Sequence, residues 1–258
     1  MNKKWLKIAL CLMGVGLVIG LIGFAMAKFD FKELNTVKMV KNTHVVEESF
    51  TNIQLSTSAA DITFQPSADG KISVVCYERD AVRHNVQVEN NTLVIQKQNN
   101  QKWYKNLGIS LESPTITIYL PAGDYEELQL KCTTGDVNVP ADFTFSKANV
   151  KVTTGDVAWK ADVANDLTIH GTTGSITLEN VLCNQLYVKT TTGDVKLSRV
   201  DAEQIEIKTT TGDVTGTLLS DKIFQVKNTT GNVDVPETTE GGICRVKATT
   251  GDIHITIE

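Results

Sequence analysis

From residue 128 onward, apolar and polar positions alternate with a period of two, and the alternation restarts at every Thr-Thr-Gly tripeptide. The glycines of these tripeptides are Gly135, Gly155, Gly174, Gly193, Gly212, Gly231 and Gly251, at spacings of 20, 19, 19, 19, 19 and 20 residues. Aligned on them, the apolar positions fall into columns. Five residues before the glycine stand Leu130, Val150, Ile169, Val188, Ile207, Val226 and Val246; two residues after it stand Val137, Val157, Ile176, Val195, Val214, Val233 and Ile253. Further columns lie seven before, from Leu128 to Cys244, and four after, from Val139 to Ile255, the latter broken only at Gly216, where a local bulge is expected.

Period-two alternation marks strands with one buried face. Each repeat therefore predicts two short strands joined at a tight corner, where glycine accepts a positive φ without steric cost. A single repeat cannot bury its apolar side, but stacked copies can, and each column then becomes a continuous ladder. The expected fold is all-β: a parallel β-solenoid of roughly 19–20-residue coils over residues 128–258. Propeller blades need about 40 residues and leucine-rich repeats need their own Asn/Leu consensus, so neither fits.

Residues 49–127 read as a degenerate first part of the same body. Ser58-Ala59-Ala60-Asp61-Ile62 resembles the corner motif without its glycine, and strand-like runs follow at 72–77, 86–88, 93–98 and 115–120. Asn90-Asn91 predicts a hairpin turn. Residues 98–114 form one long polar insertion, and 28–48 read as a linker. At the N-terminus, Lys3, Lys4 and Lys7 precede an uncharged run from Ile8 to Ala27. Twenty apolar residues suffice for a helix to cross a bilayer. Residues 1–27 are thus read as a membrane anchor with residues 28–258 outside the cytoplasm; the alternative is a signal segment cleaved after Ala25-Met26-Ala27, which releases the protein.

The formal net charge of −5 offers no basic face for nucleic acid. One column is nonetheless basic: Lys131, Lys151, His170, Lys189, Lys208, Lys227 and Lys247 lie four residues before the glycines, on the outward side. Such a stripe can grip an anionic polymer, or serve as a solvated face that blunts sideways aggregation. The residue after the glycine is Asp in most repeats, which suits local turn capping better than Ca²⁺ binding, since the G-G-x-G-x-D pattern of calcium-binding rolls is absent. Trp103-Tyr104 in the insertion is a candidate contact for a sugar or a partner protein, or a cap for the solenoid. Cys132 and Cys244 occupy inward columns as small core residues, and no CxxC, HExxH or Ser/His/Asp set appears. No cofactor, metal or catalytic residue is expected.

The TTGDV blocks, the run ITIYLPAGDYEELQLKCTTGDV and the N-terminal anchor resemble the bacterial "putative adhesin" domain of unknown function, to which LiaG-like cell-envelope proteins belong. The resemblance covers residues 49–258 and implies a right-handed stacked-β architecture at the cell envelope with no catalytic residues. The resulting expectation is a non-enzymatic, membrane-tethered binding or scaffold module, with cell-wall polymer or a membrane protein as partner. The alternatives are a regulatory partner of an envelope-stress signalling system and, third, a glycan-active β-helix enzyme.

Overall fold

The computed structural model describes residues 3–26, 37–98 and 112–258. Helix α1 (Lys3–Met26) belongs to one compact unit and the strands to another. The side chains described in α1, among them Leu12, Leu17 and Ile19, are exposed. Among the described residues no helix is long and apolar enough to cross a membrane.

The β body opens with β1 (Met39–Val46), β2 (Asn52–Ala59), β3 (Asp61–Pro66), β4 (Ile72–Arg79), β5 (His84–Glu89), β6 (Thr92–Lys97) and β7 (Thr115–Leu120). The repeats supply β8 (Gly123–Thr134), β9 (Val137–Val139), β10 (Phe143–Thr154), β11 (Val157–Trp159), β12 (Asp162–Thr173), β13 (Ile176–Glu179) and β14 (Leu182–Lys189). They continue with β15 (Val195–Lys208), β16 (Val214–Leu218), β17 (Lys222–Lys227), β18 (Val233–Asp234), β19 (Gly242–Lys247) and β20 (Ile253–Ile257). Strands before each corner pair in parallel as a front sheet and strands after it as a back sheet. The two sheets enclose the core, and β15 runs through both, joining them into one 20-stranded sheet wound as a solenoid.

Alternation carries through to burial. Leu130, Val150, Ile169, Val188, Ile207 and Val246 are at most 2% exposed, and the column after the corner is as dry from Val137 to Ile253 with the exception of Val233. The hairpin at Asn90-Asn91 is present, with φ of 48° and 62°. Residues 39–46 of the expected linker are strand instead: β1 pairs antiparallel with β4, because alternate residues of Met39–Val46 find an open edge to complete.

The coils are not stacked in sequence order. In the front sheet β15 pairs with β19, and β19 with β17. In the back sheet β16 pairs with β20, and β20 with β18. The C-terminal coil thus lies between the two that precede it. The other end mirrors this: β2 and β3 contact β8 and β9, while the later β6 and β7 sit outside them. The inserted coil is latched. Lys222 of β17, opposite Gly242, reaches past that glycine to Asp201 of β15, where Nζ donates at 2.6 Å. A side chain at Gly242 would meet the Glu203 carbonyl oxygen at 2.2 Å. Burial raises the Asp201 carboxyl, but hydrogen bonds from Lys222 and Ser220 and the charge of Lys222 outweigh it and leave Asp201 below the ordinary range.

The corner explains the glycines. Gly193 has φ of 142°, and a Cβ there would lie 2.0 Å from the Gly174 carbonyl oxygen; the same collision recurs at every repeat glycine. Ala60, the corner of the β2–β3 coil, is stacked beneath Gly135 with its own carbonyl in that position. Positive φ and coil contact are separable, because Gly123 has φ of 148° yet nothing within 4 Å of its would-be Cβ. Gly193→Ala should lower Tm by roughly 5 °C or more, from strain plus collision worth at least about 2 kcal/mol. Gly123→Ala should cost clearly less. Equal losses in calorimetry of the two variants would show that the coil contact is energetically irrelevant.

Candidate functional site

The front sheet places the basic column on its outer face. Parallel register sets Lys131 beside Lys151, then His170, Lys189 and Lys208. Beyond Lys208 the inserted coil changes the order, so Lys247 stands between Lys208 and Lys227. Neighbours are about 4.8 Å apart at the backbone, and like charges so placed repel by about 1 kcal/mol or less in water once the stems splay. Two devices relieve the crowding. Lys208 donates to Glu206 at 2.6 Å and lies over the Tyr187 ring, 5.3 Å from its centroid. His170 breaks the run: burial, then the charges of Lys189 and Lys151, push its pKa below the ordinary value, which favours the neutral ring at neutral pH.

The end of the stripe is its most cationic part. A groove of about 200 Å³ there is lined by Lys208, Lys227, Arg245 and Lys247, with Glu206 the single acid. Arg245 Nε donates to Gln225 at 2.9 Å, a neutral partner that leaves its charge available. Arg245 was missed in the sequence because it lies six residues before a glycine, in a column whose other members are not basic. A larger groove, about 770 Å³, runs along the opposite edge past Asp162, Leu182, Asp201, Ser220, Lys222 and Gly242. Its one cation, Lys222, is already paired with Asp201.

The aspartate column has a different role from local capping. Asp136 Oδ1 accepts the backbone N–H of Asp156 at 2.8 Å, and Asp156 accepts that of Ser175 at 2.7 Å. The ladder begins at Asp61, which accepts from Asp136, and follows the rearranged order at the far end, where Asp213 accepts from Asp252 and Asp252 from Asn232. These carboxylates therefore join coils, each spending an oxygen on the next corner.

Trp103 and Tyr104 lie outside the described residues. Cys132 and Cys244 are buried in inward columns. Burial pushes the Cys244 thiol up to about 12, which keeps it protonated and unreactive at neutral pH. A polar chain that the sequence did not disclose sits in the N-terminal part of the core. Thr57 Oγ1 is 2.9 Å from His84 Nε2, and His84 Nδ1 is 2.7 Å from Glu78. The spacing resembles a hydroxyl–imidazole–carboxylate relay, but Glu78 is 1% and His84 4% exposed, and neither groove includes them. A relay without access to substrate performs no acyl transfer.

A model of the family described as Toastrack DUF4097 matches residues 50–258. Among solved structures, a "putative adhesin" from Bacteroides fragilis is 18% identical, with a TM-score of 0.49, 86% of this chain and 97% of that chain covered. A "putative adhesin" from Parabacteroides distasonis is 11% identical, with a TM-score of 0.45 and coverage of 87% and 98%. A "putative lipid binding protein" from the same species is 17% identical, with a TM-score of 0.38 and coverage of 84% and 96%. No curated protein matches.

The two faces of the front sheet should respond oppositely to substitution. Val188→Asp places an unpaired charge in a dry column and should destabilise by about 3 kcal/mol or more, whereas the exposed Lys189→Gln should stay within about 0.5 kcal/mol. Equal denaturation midpoints for the two variants would overturn the assignment of faces.

Proposed function

This chain belongs to the Toastrack DUF4097 family, and we propose that it is a non-enzymatic binding module of the bacterial envelope whose lysine face meets an anionic polymer. One observation carries the reading. On a chain of net charge −5, cations are collected into one in-register outer ladder and crowd at its end around a groove. A solubility device would need no such concentration, since interspersed charges serve solubility better. The larger groove gathers Asp162, Asp201, Glu203, Asp221 and Glu240 around one cation, Lys222, which is already tied to Asp201, so a polyanion finds no attraction there.

Residues 1–27 hold the module at the membrane and leave 28–258 outside the cytoplasm. This part of the proposal rests on the uncharged run from Ile8 to Ala27. A second reading, contact with a membrane protein of an envelope-stress system, has a separate observation in its favour. The edge coil leaves Val233 47% exposed in a column that is buried in the other coils, and it carries Ile223, 38% exposed, where the earlier coils have polar residues. An apolar patch of this kind is a docking surface for protein rather than for polyanion.

Polyanion binding through many weak lysine contacts releases counterions, so affinity should fall steeply as salt rises. Full-length protein in detergent should bind purified teichoic acid at low salt. Replacing Lys189, Lys208, Lys227 and Lys247 together by Gln should weaken binding at least about tenfold without a change in circular dichroism. A wild-type protein that binds no polyanion at low salt would move the weight to the protein-partner reading. Topology is tested separately: protease added to wall-permeabilised cells should digest the β body while a cytoplasmic marker survives, and full protection of the β body would refute the outward orientation.

A further inference from the structure

The buried polar chain near the N-terminus is built as metal ligands are built. Cys76 and Glu78 project inward from β4 and His84 from β5, and one ligand atom from each lies within 4.8 Å of the others. All three side chains are buried. Each of the two polar ligands is oriented by a further group. Asn42 of β1 donates to Glu78 Oε1 at 2.7 Å, and the His84 backbone N–H donates to Oε2 at 2.9 Å. His84 Nε2 is held by Thr57 of β2. Such outer partners fix the tautomer and direction of a ligating imidazole.

Glu78 Oε2 and His84 Nδ1 lie 2.7 Å apart in a dry core, a hydrogen bond in the tautomer that carries its proton on Nδ1 and a ligand pair once a cation replaces that proton. A proton or a cation must lie between them. A buried carboxylate costs several kcal/mol unless a counter-charge accompanies it.

We propose that Cys76, Glu78 and His84 form a structural site for a borderline-soft divalent cation, Zn²⁺ before others. One thiolate, one imidazole and one carboxylate are a zinc-type donor set. Bonds of about 2.0–2.3 Å in tetrahedral geometry require the Glu78–His84 contact to open by roughly half an ångström, a side-chain adjustment. The ligands come from β4 and β5, so the metal ties these two strands together. Because the site is closed, loading accompanies folding.

The test uses full-length protein in detergent, produced with zinc and then dialysed against metal-free buffer. Elemental mass spectrometry should find about one zinc per chain in the wild type. Cys76→Ala, which removes the soft ligand and leaves the Glu78–His84 contact intact, should retain at least about tenfold less. Circular dichroism shows whether the variant is folded. In Co²⁺-loaded protein the wild type alone should show a thiolate charge-transfer band, a readout that a merely structural cysteine would not give. Wild-type protein without zinc, or Cys76→Ala with undiminished zinc, overturns the proposal; the first result leaves a proton as the bridge.

Discussion

Everything in the β body depends on one close approach. At each corner the carbonyl oxygen of one glycine occupies the place where the next corner's Cβ would be, about 2 Å from it. Nesting at that distance lets corner N–H groups reach the threonine carbonyls of the adjoining coil, as Gly155 does to Thr173 and Gly193 to Thr211, both at 2.9 Å. These bonds hold every coil at the strand repeat. Only at that repeat do Val188, Ile207 and their column mates sit in contact, so that the core is dry from one coil to the next. The aspartate ladder strengthens the same joint, since each carboxylate takes an N–H that would otherwise point at solvent.

The pattern along the chain disclosed what depends on residue type at a fixed offset. Inward and outward positions from Leu128 to Ile255 follow from alternation, and so does the outward lysine column. What it did not disclose depends on which coil meets which. The insertion of β19 and β20 between earlier coils is invisible because all repeats share one consensus; any coil can stack on any other. The clues are local and easily passed over: Gly241-Gly242, which lets strands approach where no Thr-Thr-Gly stands, and Lys222, a cation in a buried position that needs Asp201. The aspartate column was legible as structural but not in its partner, because a turn-capping bond and a bond to the next coil use the same residue. The Cys76–Glu78–His84 cluster was hidden for a further reason. Its members come from strands whose antiparallel pairing breaks the repeat, so no spacing rule brings them together.

Electrostatics adds asymmetry to a symmetric scaffold. The acids form one ladder at the corner and spend their oxygens on backbone, whereas the lysines form another on the front sheet with few partners. A chain that is acidic overall therefore presents one face on which an anion meets local attraction. The rearranged coil order intensifies it, because Lys247 and Arg245 enter beside Lys208 instead of beyond Lys227.

The same rearrangement decides how the ends behave. In a sequential solenoid the C-terminal coil is the edge, and fraying begins there. Here Ile253 and Ile255 are 1% exposed, and the edge is the coil before them. That edge coil cannot complete its pairing until β19 and β20 have arrived, because its strands pair with them and with no earlier coil. β19 and β20, which follow the edge coil in the chain, thus close the stack, and the Lys222–Asp201 pair is formed across the inserted layer. The exposed apolar side of β17 and β18 follows from this order. The β19–β20 coil is an inner layer, and none of the other described strands pairs with the outer edges of β17 and β18. An edge in this position is the part of the solenoid most open to a partner.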